Sequence, residues 1–109
     1  MPLDVWLVQI GRKLPGPTSE LVFRFGAEHD TIFYPSPLER TTFPLLFRME
    51  DYYADALYEG EELPRLTLEL DQALLEFEGE EAALSSLHRL RDVCLQAVRE
   101  GKSVLLYAD

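Results

Sequence analysis

The histidines and the cysteine are the side chains best suited to acid–base or nucleophilic chemistry, but their spacing does not form a catalytic pair. His88 and Cys94 are six residues apart on a predicted helix, so they point about 120° away from each other. Cys94 lies instead at the centre of an apolar stripe, as a small buried hydrophobe would. His29 beside Asp30 is typical of a polar turn, and His88 can pair with Asp92 on a helix surface. We therefore assign no catalytic residue.

Carboxylates at Asp51, Asp55 and Glu59 could converge on Ca²⁺ or Mg²⁺ if their segment were helical. However, the sequence lacks an EF-hand loop, and it has no His-x-x-x-His or Cys-x-x-Cys pair for zinc. It also lacks the glycine-rich loops that hold nucleotide phosphates. We predict neither a metal nor a cofactor.

Most of the negative charge of the chain lies in one segment. From Glu50 to Glu81 there are twelve carboxylates and one base, Arg65, a local net of 12 − 1 = 11 negative charges. The whole 109-residue chain has a net charge of −10, which repels phosphate backbones and anionic lipid. A basic protein is therefore the favoured partner, and nucleic acid or a membrane is disfavoured.

Tyrosines lie among these acids, and amphipathic rings beside charges suit protein recognition better than catalysis. The run from Asp51 to Asp55 alternates rings with acids, as an interface hot spot with a charged rim does. We predict that this segment is displayed to solvent as a partner-binding surface. Its residues are Asp51, Tyr52, Tyr53, Asp55, Tyr58, Glu59, Glu61, Glu62 and Glu69.

A row of glutamates, Glu62, Glu69 and Glu76, recurs every seven residues along the same region. A solvated helix face is the simpler interpretation of this row. Leu68 and Leu75 are also seven apart and point away from the buried stripe, so they are exposed unless the second helix or a partner covers them. A homodimer could cover them equally well.

Length and composition predict one domain, residues 1–109, with a single core. One cysteine cannot form an internal disulfide, as is usual for proteins of a reducing cytosol. The N-terminus has no signal-peptide pattern, and no apolar run approaches membrane-spanning length. We expect a soluble cytoplasmic protein.

The elements that position these residues begin with strands. Residues 3–10 predict a strand buried on both faces, and residues 21–25 alternate as a half-buried strand does. A turn at 26–30 and a strand at 31–34 complete a predicted hairpin. In the apolar run 43–49, Pro44 favours an edge strand or an extended segment. Residues 50–58 fit either a strand or a loop with a helical turn.

Two helices and a short strand are predicted for the second half. Apolar residues at helical spacing predict a helix from about Glu61 to Phe77, with Pro64 in its first turn and Gly79 as its C-cap. A second helix begins at Glu80 or Glu81 and stops at Gly101. Its buried stripe is Ala83, Leu87, Leu90, Cys94, Ala97 and Val98.

This order predicts an α+β fold, with a mostly antiparallel sheet of four to five strands and a C-terminal helical hairpin packed on one face. Residues 104–107 form the short final strand, which needs a partner in the sheet. We place it beside or near the first strand.

The run Arg48-Met49-Glu50-Asp51-Tyr52-Tyr53-Ala54-Asp55-Ala56-Leu57-Tyr58, followed by Glu61-Glu62-Leu63 and a leucine-rich helix, resembles small bacterial immunity proteins of polymorphic-toxin systems. The resemblance covers about the second half of the chain and rests on its acidic, tyrosine-rich α+β character. It implies a non-enzymatic cytoplasmic antidote that binds and blocks a cognate toxin domain. Toxin domains that cut nucleic acids are often basic, which agrees with the charge of this chain.

Two other classes of function stay open at this point. An acidic DNA-mimic inhibitor, or a regulatory protein-interaction module, would need carboxylates spaced regularly along an exposed surface. An enzyme or metal protein with an unconventional carboxylate site would need a bound ion or a deep polar pocket.

Overall fold

Four strands form one antiparallel sheet in a computed structural model that describes residues 3–34 and 36–108. The strands are β1 (Leu3–Gln9), β2 (Glu20–Phe25), β3 (Ala56–Tyr58) and β4 (Lys102–Ala108). Their order across the sheet is β2-β1-β4-β3, and every neighbouring pair is antiparallel. This confirms the predicted α+β class and the predominance of antiparallel pairing.

β1 and β4 lie at the centre of the sheet and pair along their whole length, from Leu3 opposite Ala108 to Gln9 opposite Lys102. Leu7 and Val8 are both fully buried, although they point to opposite faces, because neighbouring strands and covering elements enclose both sides of β1. The predicted strand buried on both faces is confirmed. The placement of the final strand beside the first is confirmed as well.

The helices are α1 (Glu28–Phe33), α2 (Glu62–Leu75) and α3 (Glu81–Glu100), and a 3₁₀ turn spans Leu46–Met49. α2 and α3 pack against each other, and α3 contacts α1, β1, β2 and β4. In the part of the chain that the structure describes, no helix has the length and apolar character needed to cross a membrane.

α2 forms because its leucines recur at helical spacing, and Leu63, Leu66 and Leu70 are buried against the rest of the fold. Pro64 lies in the first turn, where a missing N–H has no partner to lose. The C-cap of α2 is Glu76, so the prediction of a C-cap at Gly79 was wrong. Gly79 has a φ of 88° and lies instead in the short connection to α3, where a positive φ favours glycine.

α3 ends where it was predicted to end, at Gly101. This residue has a left-handed φ of 65°, and its N–H donates to the carbonyl oxygens of Ala97 and Val98. The predicted buried stripe is confirmed except at Val98, which is half exposed. Because neighbouring residues on a helix point 100° apart, Ala97 takes the buried position and Val98 turns towards solvent.

The predicted strand at 21–25 is confirmed as β2, but the turn and second strand of the hairpin, at 26–34, were wrong because this segment contains α1. The buried residues His29, Ile32 and Phe33 have the i, i+3, i+4 spacing of a helix face. The Glu28 carboxylate accepts a hydrogen bond from the Gly26 N–H at 2.6 Å, which satisfies a donor at the start of the helix. Thr31 and Ile32 have a β-branched character that obscured this spacing.

The apolar run 43–49 is also not an edge strand. The Phe47 N–H donates to the Phe43 carbonyl at 3.0 Å, and the chain then enters the 3₁₀ turn. The carboxylate of Glu69 on α2 accepts from the backbone N–H groups of Leu45 and Leu46, which stabilises the start of this turn. Within residues 50–58 the strand is limited to β3, and the part before it is a loop.

The main hydrophobic cluster lies between the helix-bearing face of the sheet and the helices. β1 and β4 supply Leu3, Val5, Leu7, Val104 and Leu106 to it, while α2 and α3 supply their buried stripes. The loop before β3 is therefore anchored to a rigid base at both of its ends.

Candidate functional site

A concave surface of about 340 Å³ lies between the start of α1 and the loop that precedes β3. We call it the tyrosine–aspartate cleft. Its lining residues are Gly26, Ala27, Asp30, Tyr34, Asp51, Tyr52 and Tyr53. One wall comes from α1 and its flanking residues, and the other comes from the loop, so the cleft joins segments about twenty residues apart in sequence.

Two tyrosine hydroxyls tie the walls of the cleft together. Tyr34 donates a hydrogen bond to the carbonyl oxygen of Glu50 at 2.8 Å, and Tyr52 donates to the carbonyl oxygen of Phe25 at 3.0 Å. Each bond crosses from one wall to the other. The cleft is therefore held in shape by its own tyrosines before any partner binds.

The Asp51 carboxylate fixes the tip of the loop. It accepts a hydrogen bond from the Tyr53 N–H at 2.8 Å, as aspartate does at the start of a turn. The Tyr53 ring packs edge-on against Tyr52, with ring centroids 5.6 Å apart, and its side chain is 76% exposed. Tyr34 on the opposite wall is 51% exposed, so both walls present an aromatic ring to solvent.

His29 lies behind the cleft and is 1% exposed. Its Nε2 is 2.8 Å from the carbonyl oxygen of Met49, and because a carbonyl can only accept, Nε2 carries the proton. Burial lowers the pKa of His29 below its ordinary value of 6.5, so the ring is neutral at neutral pH. The expectation of a polar turn at His29 was wrong, since the residue occupies the inward face of α1.

The cleft is electrically negative. Asp30 and Asp51 are both exposed, one on each wall. Burial raises the pKa of Tyr34, and the Glu50 carboxylate raises it further. The Asp51 and Asp30 carboxylates act on the pKa of Tyr34 in the same direction, as negative charges near a phenol do.

Arginines pair with part of the acidic segment. Arg48 binds Glu62 at 2.6 Å, Arg40 binds Glu50 at 2.5 Å, and Arg91 binds Asp71. Arg40 and Arg48 precede the Glu50–Glu81 segment, and Arg91 follows it on α3. Their positions in the sequence therefore do not show these contacts. Of these three carboxylates, only Glu62 is among the nine residues predicted to contact a partner, and its pairing with Arg48 shows that it is not freely displayed to solvent.

Other predicted site residues anchor the backbone. Glu69 is half-buried and accepts from the Leu45 and Leu46 N–H groups at 3.3 and 2.9 Å. Glu59 accepts from the Gly11 N–H at 3.2 Å, which ties the end of β1 to the end of β3. Asp55 accepts from the Ala108 N–H at 2.8 Å and remains exposed, as does Glu61. These contacts give Glu59 and Glu69 structural roles.

Tyr58 does not belong to the exposed surface. Its side chain is 0% exposed, and its hydroxyl donates to the Leu45 carbonyl oxygen at 2.6 Å. Burial raises its pKa far above the ordinary value for a phenol. The prediction that Tyr58 contacts a partner was wrong, because β3 points this ring into the core.

Sequence reasoning missed Asp30 and Tyr34 as cleft residues. They are four apart, so they share one face of a helix. Treating residues 28–33 as a helix would have placed an acid and a ring together beside the Asp51–Tyr53 run. The signal was therefore present in the sequence but depended on assigning α1 correctly.

The glutamate row on α2 is not a regular exposed array. Glu62 is paired with Arg48 and Glu69 caps the 3₁₀ turn, which leaves Glu76 as the exposed member of the three. A DNA mimic would need a continuous row, and this geometry does not favour one. Leu68 and Leu75 are 65% and 76% exposed, so α3 does not cover them.

Neither Cys94 nor the carboxylates form a reactive or metal-binding site among the residues that the structure describes. Cys94 is fully buried, and burial raises the pKa of its thiol to about 12, which confirms its place in the core. Across residues 3–34 and 36–108, no group of three or more histidine, cysteine, aspartate and glutamate side chains is arranged to hold a metal ion.

Comparison with known proteins adds no functional label. No protein-family model, curated protein sequence or solved structure matches this chain.

Proposed function

We propose that this chain is a non-enzymatic binding protein of the immunity type, which neutralises a basic toxin domain by docking on it through the tyrosine–aspartate cleft. The observation that carries the proposal is a preformed concave surface that presents two exposed tyrosine rings beside two exposed carboxylates. Rings of this kind supply large contact area at low entropic cost, and tyrosine is frequent among interface hot spots.

The rigidity of the cleft supports this role. The hydroxyls of Tyr34 and Tyr52 already hold both walls, and Asp51 already holds the backbone of the loop. Less conformational freedom is then lost when a partner binds, so more of the contact energy appears as affinity.

The overall charge supports it in a second way. After the three arginine pairs are formed, the segment still contains exposed acids outside the cleft: Asp55, Glu61, Glu76, Glu78, Glu80 and Glu81. Such charges accelerate the approach of a basic protein more than they strengthen the final complex. We assign these acids to steering and the cleft to contact.

The proposed contact surface therefore differs from the nine residues that the sequence indicated. It keeps Asp51, Tyr52 and Tyr53 and adds Asp30 and Tyr34. Tyr58 is removed because it is buried. Among the remaining predicted residues, Asp55 and Glu61 are exposed acids, whereas Glu59, Glu62 and Glu69 are held by contacts within the fold.

Growth protection in a bacterial host tests the proposal. The toxin domain used is a basic domain that co-purifies with this chain from its native host, expressed from an inducible promoter. Co-expression of the chain should restore growth, and the double variant Asp30→Asn/Asp51→Asn should restore it much less, because it removes the charges of the cleft.

A matched control removes the same number of charges elsewhere. Glu78 and Glu81 are exposed at the connection between α2 and α3, so Glu78→Gln/Glu81→Gln should still protect. Failure of the unaltered chain to protect would contradict the immunity function. Equal protection by both double variants would contradict the assignment of contact to the cleft.

A further inference from the structure

The fold itself shows how its aromatic rings and carboxylates bind arginine. Arg48 places its guanidinium carbon 4.8 Å from the centre of the Tyr58 ring and binds both carboxylate oxygens of Glu62, at 3.0 and 2.6 Å. Arg40 lies 4.7 Å from the centre of the Phe47 ring and binds both oxygens of Glu50, at 2.6 and 2.5 Å. In both places a guanidinium lies over an aromatic ring and fills a carboxylate fork.

The tyrosine–aspartate cleft contains the same two components. The Tyr34 and Tyr53 rings are exposed on opposite walls, and each wall also carries an exposed carboxylate, Asp30 or Asp51. Within residues 3–34 and 36–108, no arginine or lysine forms an ion pair with either aspartate. Arg40, whose charge also reaches Tyr34, is occupied by Glu50.

We infer that the cleft binds one arginine side chain of the partner protein, with its guanidinium between Asp30 and Asp51 and its plane against a tyrosine ring. This inference rests on the proposed function, and it names the group that the docking surface recognises.

The charges of the side chains around the cleft favour the binding of a cation. His29 lies directly behind the cleft with its ring 5.1 Å from that of Tyr52, and it donates its Nε2 proton to Met49. A neutral imidazole at this place adds no positive charge that would repel the ligand. Burial lowers the pKa of His29, and the nearby carboxylates of Asp30, Glu28 and Asp51 oppose this effect only in part.

Arginine fits this geometry better than lysine does. A guanidinium is planar, stacks on aromatic rings and donates several hydrogen bonds in a fixed fork, whereas an ammonium is a strongly hydrated point charge. The cleft is open to solvent and offers two carboxylates and two rings around 340 Å³ of space. A flat cation can contact a ring and a carboxylate together without losing all its water.

The test is a titration of the ¹⁵N-labelled chain with three acetylated and amidated tripeptides, Gly-Arg-Gly, Gly-Lys-Gly and Gly-citrulline-Gly. Citrulline keeps the shape of arginine but has no charge. The arginine peptide should give saturable shifts of the amides at 26–34 and 50–55. The citrulline peptide should bind at least about tenfold more weakly, which corresponds to the loss of one charge-assisted contact.

Variants establish where the peptide binds. Asp30→Asn/Asp51→Asn should abolish the preference for arginine over citrulline, while Glu78→Gln/Glu81→Gln should preserve it. All four side chains are exposed, and an unchanged thermal unfolding curve checks that each variant is folded. The lysine peptide should bind several-fold more weakly than the arginine peptide.

Equal shifts with arginine and citrulline, or shifts that survive the cleft variant, would overturn the inference. Equal binding of arginine and lysine peptides would overturn the choice of arginine. The two proposals can fail separately. If the cleft variant loses growth protection but the cleft does not prefer the arginine peptide over the citrulline peptide, the result supports the immunity function and contradicts the binding of an arginine. If the arginine peptide binds selectively but the chain does not protect, the result supports the binding of an arginine and contradicts the immunity function.

Discussion

The guanidinium of Arg48 binds both carboxylate oxygens of Glu62, at distances of 3.0 and 2.6 Å. This contact joins the 3₁₀ turn to the first turn of α2, and Arg48 also donates to the Leu57 carbonyl oxygen at 2.7 Å. One of the acids that the sequence assigned to partner binding thus stabilises the fold. Its role follows from an arginine fourteen residues earlier in the chain.

Removing this arginine is expected to lower the free energy of unfolding. Arg48→Met should cost about 1 kcal/mol at pH 7, because both side chains are partly exposed and solvent screens the pair. The control variant Lys13→Met, in the exposed loop after β1, should change the free energy of unfolding by less than about 0.5 kcal/mol. Urea denaturation of the three proteins measures the difference.

The stabilisation that the Arg48–Glu62 ion pair provides should depend on pH. The hydrogen bond from Arg48 lowers the pKa of Glu62 below the ordinary value of 4.5, so the pair stabilises the fold above that pH. As the pH falls through the lowered pKa, Glu62 takes up a proton and this contribution is lost. The difference in free energy of unfolding between the unaltered chain and Arg48→Met should therefore decrease in acid. A difference that stays constant to pH 3 would contradict a stabilising role for the Arg48–Glu62 pair.

His29 should make the fold sensitive to mild acid. Burial lowers its pKa, so the unfolded chain binds a proton more readily than the folded chain does. The free energy of unfolding should be unaffected above about pH 6.5, the unfolded value, and should decrease as the pH falls below it. Denaturation at pH 7.5 and 5.5 measures this decrease, which should be smaller in His29→Phe because that variant has no imidazole to protonate. An equal decrease in both proteins would show that other groups are responsible.

The hydroxyl of Tyr58 should matter for stability and that of Tyr53 should not. Tyr58→Phe leaves the buried carbonyl oxygen of Leu45 without this hydrogen bond, at a cost of about 1–3 kcal/mol. Tyr53→Phe removes a hydroxyl from a side chain that is mostly in solvent, and it should be nearly neutral. Thermal unfolding of both variants compares them, and similar losses would contradict the burial of Tyr58.

Leucines on the two faces of α2 should also differ in their contribution to the free energy of unfolding. Leu70→Ala opens a cavity in the core and should cost about 2–5 kcal/mol, because Leu70 is fully buried. Leu68→Ala, two residues earlier, should change stability by less than about 0.5 kcal/mol, because its side chain is mostly exposed. A large loss at Leu68 that depends on protein concentration would show instead that a second copy of the chain covers this face.

The longer elements could be predicted from the sequence because their patterns repeat. α2 and α3 each contain several turns of apolar residues at helical spacing, and β1 and β4 are mostly apolar. The short elements could not be predicted in this way. α1 has six residues, and the 3₁₀ turn depends on the Glu69 carboxylate, which comes from more than twenty residues away.

Only the part of the site that is local in sequence could be predicted. The Asp51–Tyr53 run is local, so its composition indicated an interface from the sequence alone. Its opposite wall, Asp30 and Tyr34, comes from α1 and its C-cap, where a turn at 26–30 and a strand at 31–34 were predicted. Charge neutralisation by Arg40, Arg48 and Arg91 depends on tertiary contacts, which a count of acids along the chain does not show.

Hydrogen–deuterium exchange on the purified chain, with and without the basic domain used in the growth assay, tests most directly whether the tyrosine–aspartate cleft is the docking surface. We predict that the amides at 26–34 and 50–55 become protected in the complex, because both walls of the cleft are then covered. Protection confined to the exposed face of α2 around Leu68 and Leu75, with exchange at the cleft unchanged, would contradict the claim that the cleft is the docking surface.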